Sequence, residues 1–246
     1  MPIAGSSRAQ APRAFPFRAT NYNVEAIVSP DQKTISAEAR VDFVANQVAR
    51  TVLVELHPDL QVTSVKTASG QSLAFDRGGQ SPLFLSVELP RSATPGDKVS
   101  LTFEYAGSVS SEDDSPTKGV RFASVDKESA YLLLPARWFP LTNYPSNRYT
   151  GTFNIIVPGN FAVAGTGKAD PPQMRAGIGP GAPQQASYVF HCDQPSPAGS
   201  FVAGSLQLSP VSAQGYPIAV YTPPAQASTA NDYASTLALV MNDLAD

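Results

Sequence analysis

Regular alternation of apolar and polar side chains constrains this fold more than any other feature of the sequence. Apolar residues recur at every second position from Tyr22 to Val28, and again from Ile35 to Phe43, where polar residues separate them. A period of two is typical of a β-strand that buries one face and exposes the other. The sequence therefore predicts a chain built from half-buried strands, with these apolar positions in the core.

Turn signals separate the strand-like segments. Between the first two strands, residues 29–33 read SPDQK, in which Pro30 suits the second position of a turn. Further short apolar segments follow at similar spacing, divided by Gly- and Pro-containing turns, which favours antiparallel meanders in a sandwich or an open barrel. Residues 169–186 are rich in Pro, Gly and Gln, and we expect them to form a long exposed hairpin loop.

The composition sets the class of protein and excludes some partners. The 246 residues suffice for one large all-β domain or two ordinary ones, and 42% hydrophobic residues can fill a sizeable core. The net charge of −3 argues against a nucleic-acid partner, which requires a basic surface. No apolar run approaches the roughly 20 residues that a membrane-spanning helix needs. Few charges and many Ser, Thr, Gln and Pro residues favour an extracytoplasmic protein, with its signal removed, over a cytoplasmic one.

The two ends of the chain differ from the strand-rich part. Residues 1–20 are polar and without periodicity, so we expect a disordered or loosely attached leader before a β-domain over 21–226. Residues 227–246 predict a helix, with Thr229 and Asp232 as a capping box. Its apolar face comprises Tyr233, Leu237, Val240, Met241 and Leu244. No helix stop signal follows, so we expect the chain to be truncated and this helix to be the first of a second domain.

Residues that could carry catalysis are few. The two histidines, His57 and His191, lie in no zinc-binding pattern and are expected to be structural. The single cysteine, Cys192, adjoins His191 on a predicted strand, where neighbouring side chains point to opposite faces. Residues 165–168, GTGK, are too short for a phosphate-binding loop, and the acidic run 110–119 lacks the alternation of a calcium loop. The sequence therefore predicts no catalytic residue, metal site or cofactor in this chain.

A long crossing between two strand-like runs is the most unusual segment. Residues 132–158 contain one Trp, four Pro and two Arg, which a plain hairpin does not need. From position 136 this segment resembles a motif of the zinc aminopeptidases of the aminopeptidase N family. The matching positions are Ala136, Arg137, Phe139, Pro140, Phe153, Ile155 and Val157.

The flanking segments resemble the same family in the same order. Residues 22–44 resemble its first hairpin, residues 52–65 and 99–110 its next strands, and residues 188–207 the segment that precedes its catalytic domain. The resemblance implies a non-catalytic N-terminal β-domain, a large curved antiparallel sheet with a smaller sheet packed on it in a saddle or sandwich arrangement. It also implies a following zinc-bearing catalytic domain, absent here, that acts on peptide substrates and docks on the C-terminal helix.

The resemblance further suggests a role for the crossing as one wall of a substrate cleft. We expect the rim to comprise Glu128, Ala130, Tyr131, Arg137 and Trp138, with Arg137 fixing the loop by bidentate hydrogen bonds. The family's amine-binding Gln or Glu aligns with Ser129 and Ala130, and the nearest carboxylate is Glu128. The sequence therefore leaves open which residue would bind the free amine of the substrate. The alternative is that Arg137 and Trp138 only stabilise a long connection.

Two other functions remain open from the sequence. A free-standing β-sandwich for adhesion or carbohydrate binding would present exposed aromatic side chains, for which Tyr131, Trp138, Tyr144 and Tyr149 are the candidates. The second possibility is a scaffold protein that descends from the peptidase family and has lost catalysis. Enzymatic activity of the parent protein is thus an expectation, and this chain alone is expected to be inactive.

Overall fold

The computed structural model describes residues 15–78, 81–109, 120–177 and 183–245. Its elements are β1 (Phe17–Ser29), β2 (Thr34–Ala45), β3 (Ala49–Glu55), β4 (Leu60–Thr67), β5 (Phe75–Arg77), β6 (Phe84–Ala93), β7 (Lys98–Gly107), β8 (Ala123–Val125), β9 (Ser129–Leu132), β10 (Tyr149–Pro158), β11 (Ala162–Gly165), β12 (Lys168–Ala169), β13 (Gln173–Arg175), β14 (Gln185–Ser196), β15 (Phe201–Gly204), β16 (Gln207–Ala213), β17 (Tyr216–Thr222) and α1 (Ala230–Ala245). Short 3₁₀ turns occupy Leu134–Ala136 and Pro224–Thr229. The fold is all-β with one C-terminal helix, as the sequence predicts.

The largest sheet has the strand order β12-β14-β10-β1-β2-β7-β4, with β13 also paired to β14. Its neighbouring strands are antiparallel except for β1 and β10, which run parallel, with Val24 opposite Phe153. The sheet is therefore mixed, and the expectation of a wholly antiparallel sheet is corrected. The parallel pair arises because β10 enters the sheet through the long crossing and not through a hairpin.

Three smaller sheets complete the β-structure of the described residues. One has the order β11-β15-β9-β8, one has the order β3-β6-β5, and β16 and β17 form a hairpin. Side chains of the large sheet and of the first two smaller sheets form one core, which includes Tyr22, Val41, Val52, Leu85, Phe103, Phe153 and Phe201. Burying a side chain of this size stabilises the fold by roughly 1.5–3 kcal/mol.

The predicted buried faces of the first two strands are confirmed. Tyr22 and Val28 in β1, and Ile35 and Phe43 in β2, are all buried. The two strands pair along their length, with a bulge after Ala19 that shifts the register. The turn expected between them is present as well.

Several boundaries differ from the sequence-based expectation. Strand β1 starts at Phe17, which is fully buried, so the last residues of the expected leader belong to the large sheet. The segment expected as the hairpin loop 169–186 is exposed over residues 169–176, but it contributes to β12 and forms β13, which pair with β14, and its last two residues already belong to β14, where Ala186 is buried. Residues 1–14 of the leader, the acidic run 110–119 and residues 178–182 lie outside the described residues.

The C-terminal helix begins one residue after the predicted cap. Thr229 closes the preceding 3₁₀ turn, because its hydroxyl donates to the carbonyl of Gln226 at 2.7 Å. This side chain is therefore not the cap of a box with Asp232. Within the described residues no helix is long and apolar enough to cross a membrane.

Candidate functional site

The crossing links the small four-stranded sheet to the large sheet. It leaves β9 at Leu132, passes through the 3₁₀ turn, and enters β10 at Tyr149. Most of its apolar side chains point inward, and Trp138, Phe139 and Leu141 are all buried. The crossing is therefore a part of the core that joins two sheets.

Trp138 occupies the centre of this core. It is 0% exposed, and its indole N–H donates to the carbonyl of Gly199 at 2.8 Å. Its ring makes edge contacts with Phe139 and Phe201 at centroid distances of 4.8 and 5.9 Å. Because the polar atom of the indole is satisfied, the large ring is buried without an unpaired donor. Trp138 shapes the crossing from the inside.

Arg137 holds the bend of the crossing in place. Its backbone lies in the left-handed region, with φ of 52°, and its carbonyl accepts a hydrogen bond from the backbone N–H of His57 at 2.8 Å. Its Nε donates to Oε2 of Glu55 at 3.3 Å, and its Nη1 donates to the carbonyl of Pro135 at 2.6 Å. The guanidinium also lies 4.4 Å from the centre of the Tyr144 ring. The expected bidentate hydrogen bond is thus replaced by two bonds to separate acceptors.

Glu55 is the buried partner that the sequence analysis missed. It is 6% exposed, and its backbone pairs with Leu141 in both directions, at 2.7 and 2.8 Å. Burial raises the pKa of its carboxyl group above the usual value, and the nearby charge and hydrogen bond of Arg137 oppose that rise. A signal for this role exists in the sequence, because a carboxylate in the apolar run 52–56 requires a partner.

A polar cluster fixes the far end of the crossing to β1. The hydroxyl of Thr142 accepts from the backbone N–H of Ala19 at 3.0 Å and from the amide of Asn147 at 3.1 Å. The same amide donates to the carbonyl of Ala19 at 2.9 Å. Nearby, the hydroxyl of Tyr149 donates to the carbonyl of Ala198 at 2.7 Å. These bonds connect the crossing to segments distant in sequence on both sides.

The remaining predicted rim residues lie at the small sheet. Glu128 is exposed before β9, Tyr131 is half-buried, and Ala130 is buried. Tyr131 is in register with Val202 of β15, which is 41% exposed, so the two share the outer face of this sheet. Of the five predicted residues, only Glu128 and Tyr131 are thus available at the surface of the small sheet, while Ala130 and Trp138 are interior.

Helix α1 packs through its smallest side chains. Ala230, Ala234 and Ala238 are buried, and the helix contacts β16 and β17. The amide of Asn242 also donates to the side-chain oxygen of Gln214 in the β16–β17 turn. The predicted apolar face lies on the opposite, exposed side of the helix, as expected for a docking surface: Tyr233, Leu237, Val240, Met241 and Leu244 are each more than a third exposed. We call these five residues the outer helix face.

The histidines and the cysteine have ordinary structural surroundings. His57 is buried, with Nδ1 accepting from the backbone N–H of Asp59 at 3.3 Å. His191 lies 2.9 Å from Oδ2 of Asp170 through its Nε2. The thiol of Cys192 is buried, and burial raises its pKa. Among the described residues no group of three or more His, Cys, Asp or Glu side chains could hold a metal ion.

Comparison with known proteins gives similarity at the level of structure alone. No protein-family model matches the sequence, and no curated protein is significantly similar to it. The M1 zinc metallopeptidase of Deinococcus radiodurans has a TM-score of 0.65 at 19% identity, with 84% of this chain covered. A mutant of that enzyme bound to a Tyr-Ser-Ala substrate has the same score and identity over 80% of this chain.

A two-domain M1 zinc metallopeptidase mutant bound to L-tryptophan has a TM-score of 0.64 at 19% identity, over 83% of this chain. In these three structures the match covers 44–47% of the other chain. This chain therefore spans less than half the length of the solved structures that it resembles. Its fold is that of the N-terminal part of M1 zinc metallopeptidases.

Proposed function

We propose that this chain is the non-catalytic N-terminal β-domain of a zinc metallopeptidase of the aminopeptidase N type, which removes N-terminal residues from peptides. The observation that carries the proposal is the fold, which matches M1 zinc metallopeptidases over 80–84% of this chain and less than half of theirs. The order of the sequence segments that resemble the family supports the same assignment. Zinc and the catalytic groups then belong to the remainder of the longer protein.

The exposure of the outer helix face is consistent with a further domain of the same polypeptide that packs against it. Exposed apolar side chains recur along α1, and Leu244 is 82% exposed. A contiguous apolar face of this kind marks an interaction site. The occupant we propose is the catalytic part of the same polypeptide, because solved structures with this fold extend well beyond the matched region.

The cleft wall that we propose is the surface around β9. Glu128 presents an exposed carboxylate there, and Tyr131 and Val202 provide an apolar surface beside it. A carboxylate is suited to bind the ammonium group of a peptide N-terminus. Arg137 and Trp138 would act indirectly, by fixing the crossing behind this surface.

Zinc does not fit the part of this chain that the structure describes. The described residues contain no group of three or more His, Cys, Asp or Glu side chains that could hold the ion. Nδ1 of His57 already accepts from the backbone N–H of Asp59, and Nε2 of His191 already contacts the carboxylate of Asp170. We therefore derive no zinc-dependent step from this chain. In the proposed protein, its contribution is to bind, position and enclose the substrate.

The first test is to sequence the native reading frame beyond Asp246. We expect the reading frame to continue and to encode an H-E-x-x-H motif and a downstream Glu. The protein encoded by that frame should hydrolyse alanine 4-nitroanilide and lose the activity with a chelator, while the 246-residue chain alone should be inactive. A reading frame that stops near position 246, or a continuation without the zinc motif, overturns the proposal.

Substrate recognition is tested in the same longer protein. Glu128→Gln should raise KM for alanine 4-nitroanilide, because it removes the proposed charge partner of the amine. The matched control is Glu88→Gln, an exposed carboxylate on β6. Equal KM values for the two variants would refute the role of Glu128 while leaving the peptidase assignment intact.

The alternative function in carbohydrate binding finds no support in the aromatic side chains. Trp138 and Tyr149 are buried, and Tyr131 and Tyr144 are half-buried. The four residues therefore provide no row of exposed rings for stacking on a sugar. The reading-frame test and the activity assay above distinguish a scaffold without catalysis from an active peptidase.

A further inference from the structure

A cavity of about 440 Å³ lies away from the crossing, where three segments meet. Its walls are the turn 67–69 after β4, residues 89–93 of β6, and residues 97–100 at the start of β7. Its volume falls within the range of roughly 300–1,000 Å³ that is typical of small-molecule sites. Neither the crossing, the small four-stranded sheet nor the outer helix face contributes to it.

A wide bulge in β6 forms one wall of this cavity. Ala49 pairs with Ala93 and Thr51 pairs with Glu88, so a single residue of β3 lies opposite four residues of β6. Within this bulge Pro90 has no N–H to offer the ladder. Arg50 fixes its base, because Nε donates to the carbonyl of Leu89 at 2.9 Å. Bulges of this kind redirect side chains and are frequent beside functional sites.

Three charged side chains line the cavity, and their net charge is +1. Arg91 comes from the bulge, Lys98 from β7, and Asp97 from the turn between them. Asp97 already accepts from the backbone N–H and the hydroxyl of Thr94, at 2.8 and 3.0 Å. The bond from the backbone N–H of Thr94 lowers the pKa of Asp97 most, followed by the bond from the Thr94 hydroxyl. The positive charge of Arg91 lowers this pKa further. No hydrogen bond or ion pair within the described residues engages the side chain of Arg91 or Lys98.

The rest of the lining is mixed in polarity. Apolar surface comes from the exposed Pro90 and the half-buried Val99, with the buried Leu89 behind them, and hydroxyl groups come from Thr67, Ser69, Ser92 and Ser100. The hydroxyls of Thr67 and Ser69 bond to each other at 2.9 Å, and that of Ser100 accepts from Arg40 at 3.2 Å. A ligand with an apolar body and a single negative charge matches both the apolar wall and the net charge of +1.

We propose that this cavity binds a small organic carboxylate monoanion, with Arg91 and Lys98 as the partners of the carboxylate and Pro90 and Val99 against its apolar body. A doubly charged phosphate suits the cavity less well, because Asp97 would repel it and the apolar wall would have no partner. None of the residues proposed for the cleft wall lines this cavity, and the inference does not rest on the proposed function.

The probe for the test is N-acetyl-L-leucine, titrated into the 246-residue chain while amide resonances are followed by NMR. We expect saturable shifts confined to the turn 67–69, the bulge and the start of β7. N-acetyl-L-leucine amide, which lacks the charge, should bind at least about tenfold more weakly, as expected for the loss of a charged hydrogen bond. Inorganic phosphate should not compete.

Two variants assign the binding to the proposed cations. Arg91→Gln and Lys98→Gln should each weaken the probe by about fivefold to tenfold, whereas Arg18→Gln, an exposed cation on β1, should leave the affinity unchanged. All three sites are exposed, so the variants are expected to fold, which their unchanged spectra would verify. Absence of saturable shifts, equal binding of the amide, or preferential binding of phosphate each overturns the proposal.

Discussion

The indole N–H of Trp138 donates a hydrogen bond to the carbonyl of Gly199 at 2.8 Å, across 61 residues of sequence. This bond joins the crossing to the segment that leads into β15. Trp138 and Gly199 are both buried, so the bond is shielded from water. The crossing is consequently bound to the core by a polar contact as well as by apolar burial.

Trp138→Phe should lower the free energy of unfolding by about 2–3 kcal/mol. The change leaves the Gly199 carbonyl without its partner and opens a small cavity. Urea denaturation followed by circular dichroism measures the effect. As a control, Tyr233→Phe alters an aromatic side chain that is 60% exposed and should change stability by less than about 0.5 kcal/mol. Equal effects in the two variants would contradict the central role of Trp138.

Gly199→Ala should destabilise the fold by more than backbone strain explains. Gly199 has φ of +111°, and an added Cβ would lie 2.6 Å from the Phe139 ring. The matched control is Gly70→Ala, which has φ of +83° and open space around the position. Strain alone costs roughly 1–2 kcal/mol in each case, so unfolding measurements should show a clear further loss for Gly199→Ala. Equal losses would mean that the ring moves aside freely.

Arg137→Met should destabilise the chain by about 3 kcal/mol, because it leaves the buried carboxyl group of Glu55 without its charge partner. In the double variant with Glu55→Gln, the loss should be smaller than the sum of the two single losses. A double-mutant cycle from urea denaturation measures this coupling. Additive effects would show that the 3.3 Å contact contributes nothing to stability.

The raised pKa of Glu55 predicts a specific dependence of stability on pH. A carboxyl group whose pKa is higher in the folded state than in the unfolded state favours folding most when it is protonated. Its contribution is therefore fully present below the unfolded value, near pH 4.5, and is lost as the pH rises through the folded value. The unfolding free energy of the wild type relative to Glu55→Gln should fall over that window. A constant or increasing difference between pH 4 and 7 would contradict the raised pKa.

The outer helix face should tolerate polar substitution in this chain. Changing Leu237, Val240 and Leu244 to Ser should lower the free energy of unfolding only slightly, because each side chain is already at least 46% exposed. The variant should also bind less of a dye specific for exposed apolar surface. In the longer protein proposed above, the same variant should weaken domain association. Ala234→Leu is the contrasting change, because that side chain is fully buried, and it should destabilise the helix packing.

The elements that depend on local pattern were predictable from the sequence. The alternation from Ile35 to Phe43 fixes which face of β2 is buried, since a strand places successive side chains on opposite sides. The terminal helix was predictable for the same reason, as its period is set by backbone geometry. The bulge after Ala19 was not predictable, because it depends on how two strands pair.

The contacts that build the crossing were decided by tertiary structure. The sequence places Glu55 and Arg137 82 residues apart, and only the folded chain brings them together. The helix shows the same limit: the pattern identified its large apolar residues as one face, but only the structure shows that the helix packs on the hairpin through Ala230, Ala234 and Ala238. Hydrophobic periodicity identifies which residues share a face, whereas the partner that covers the face depends on shapes formed by residues distant in sequence.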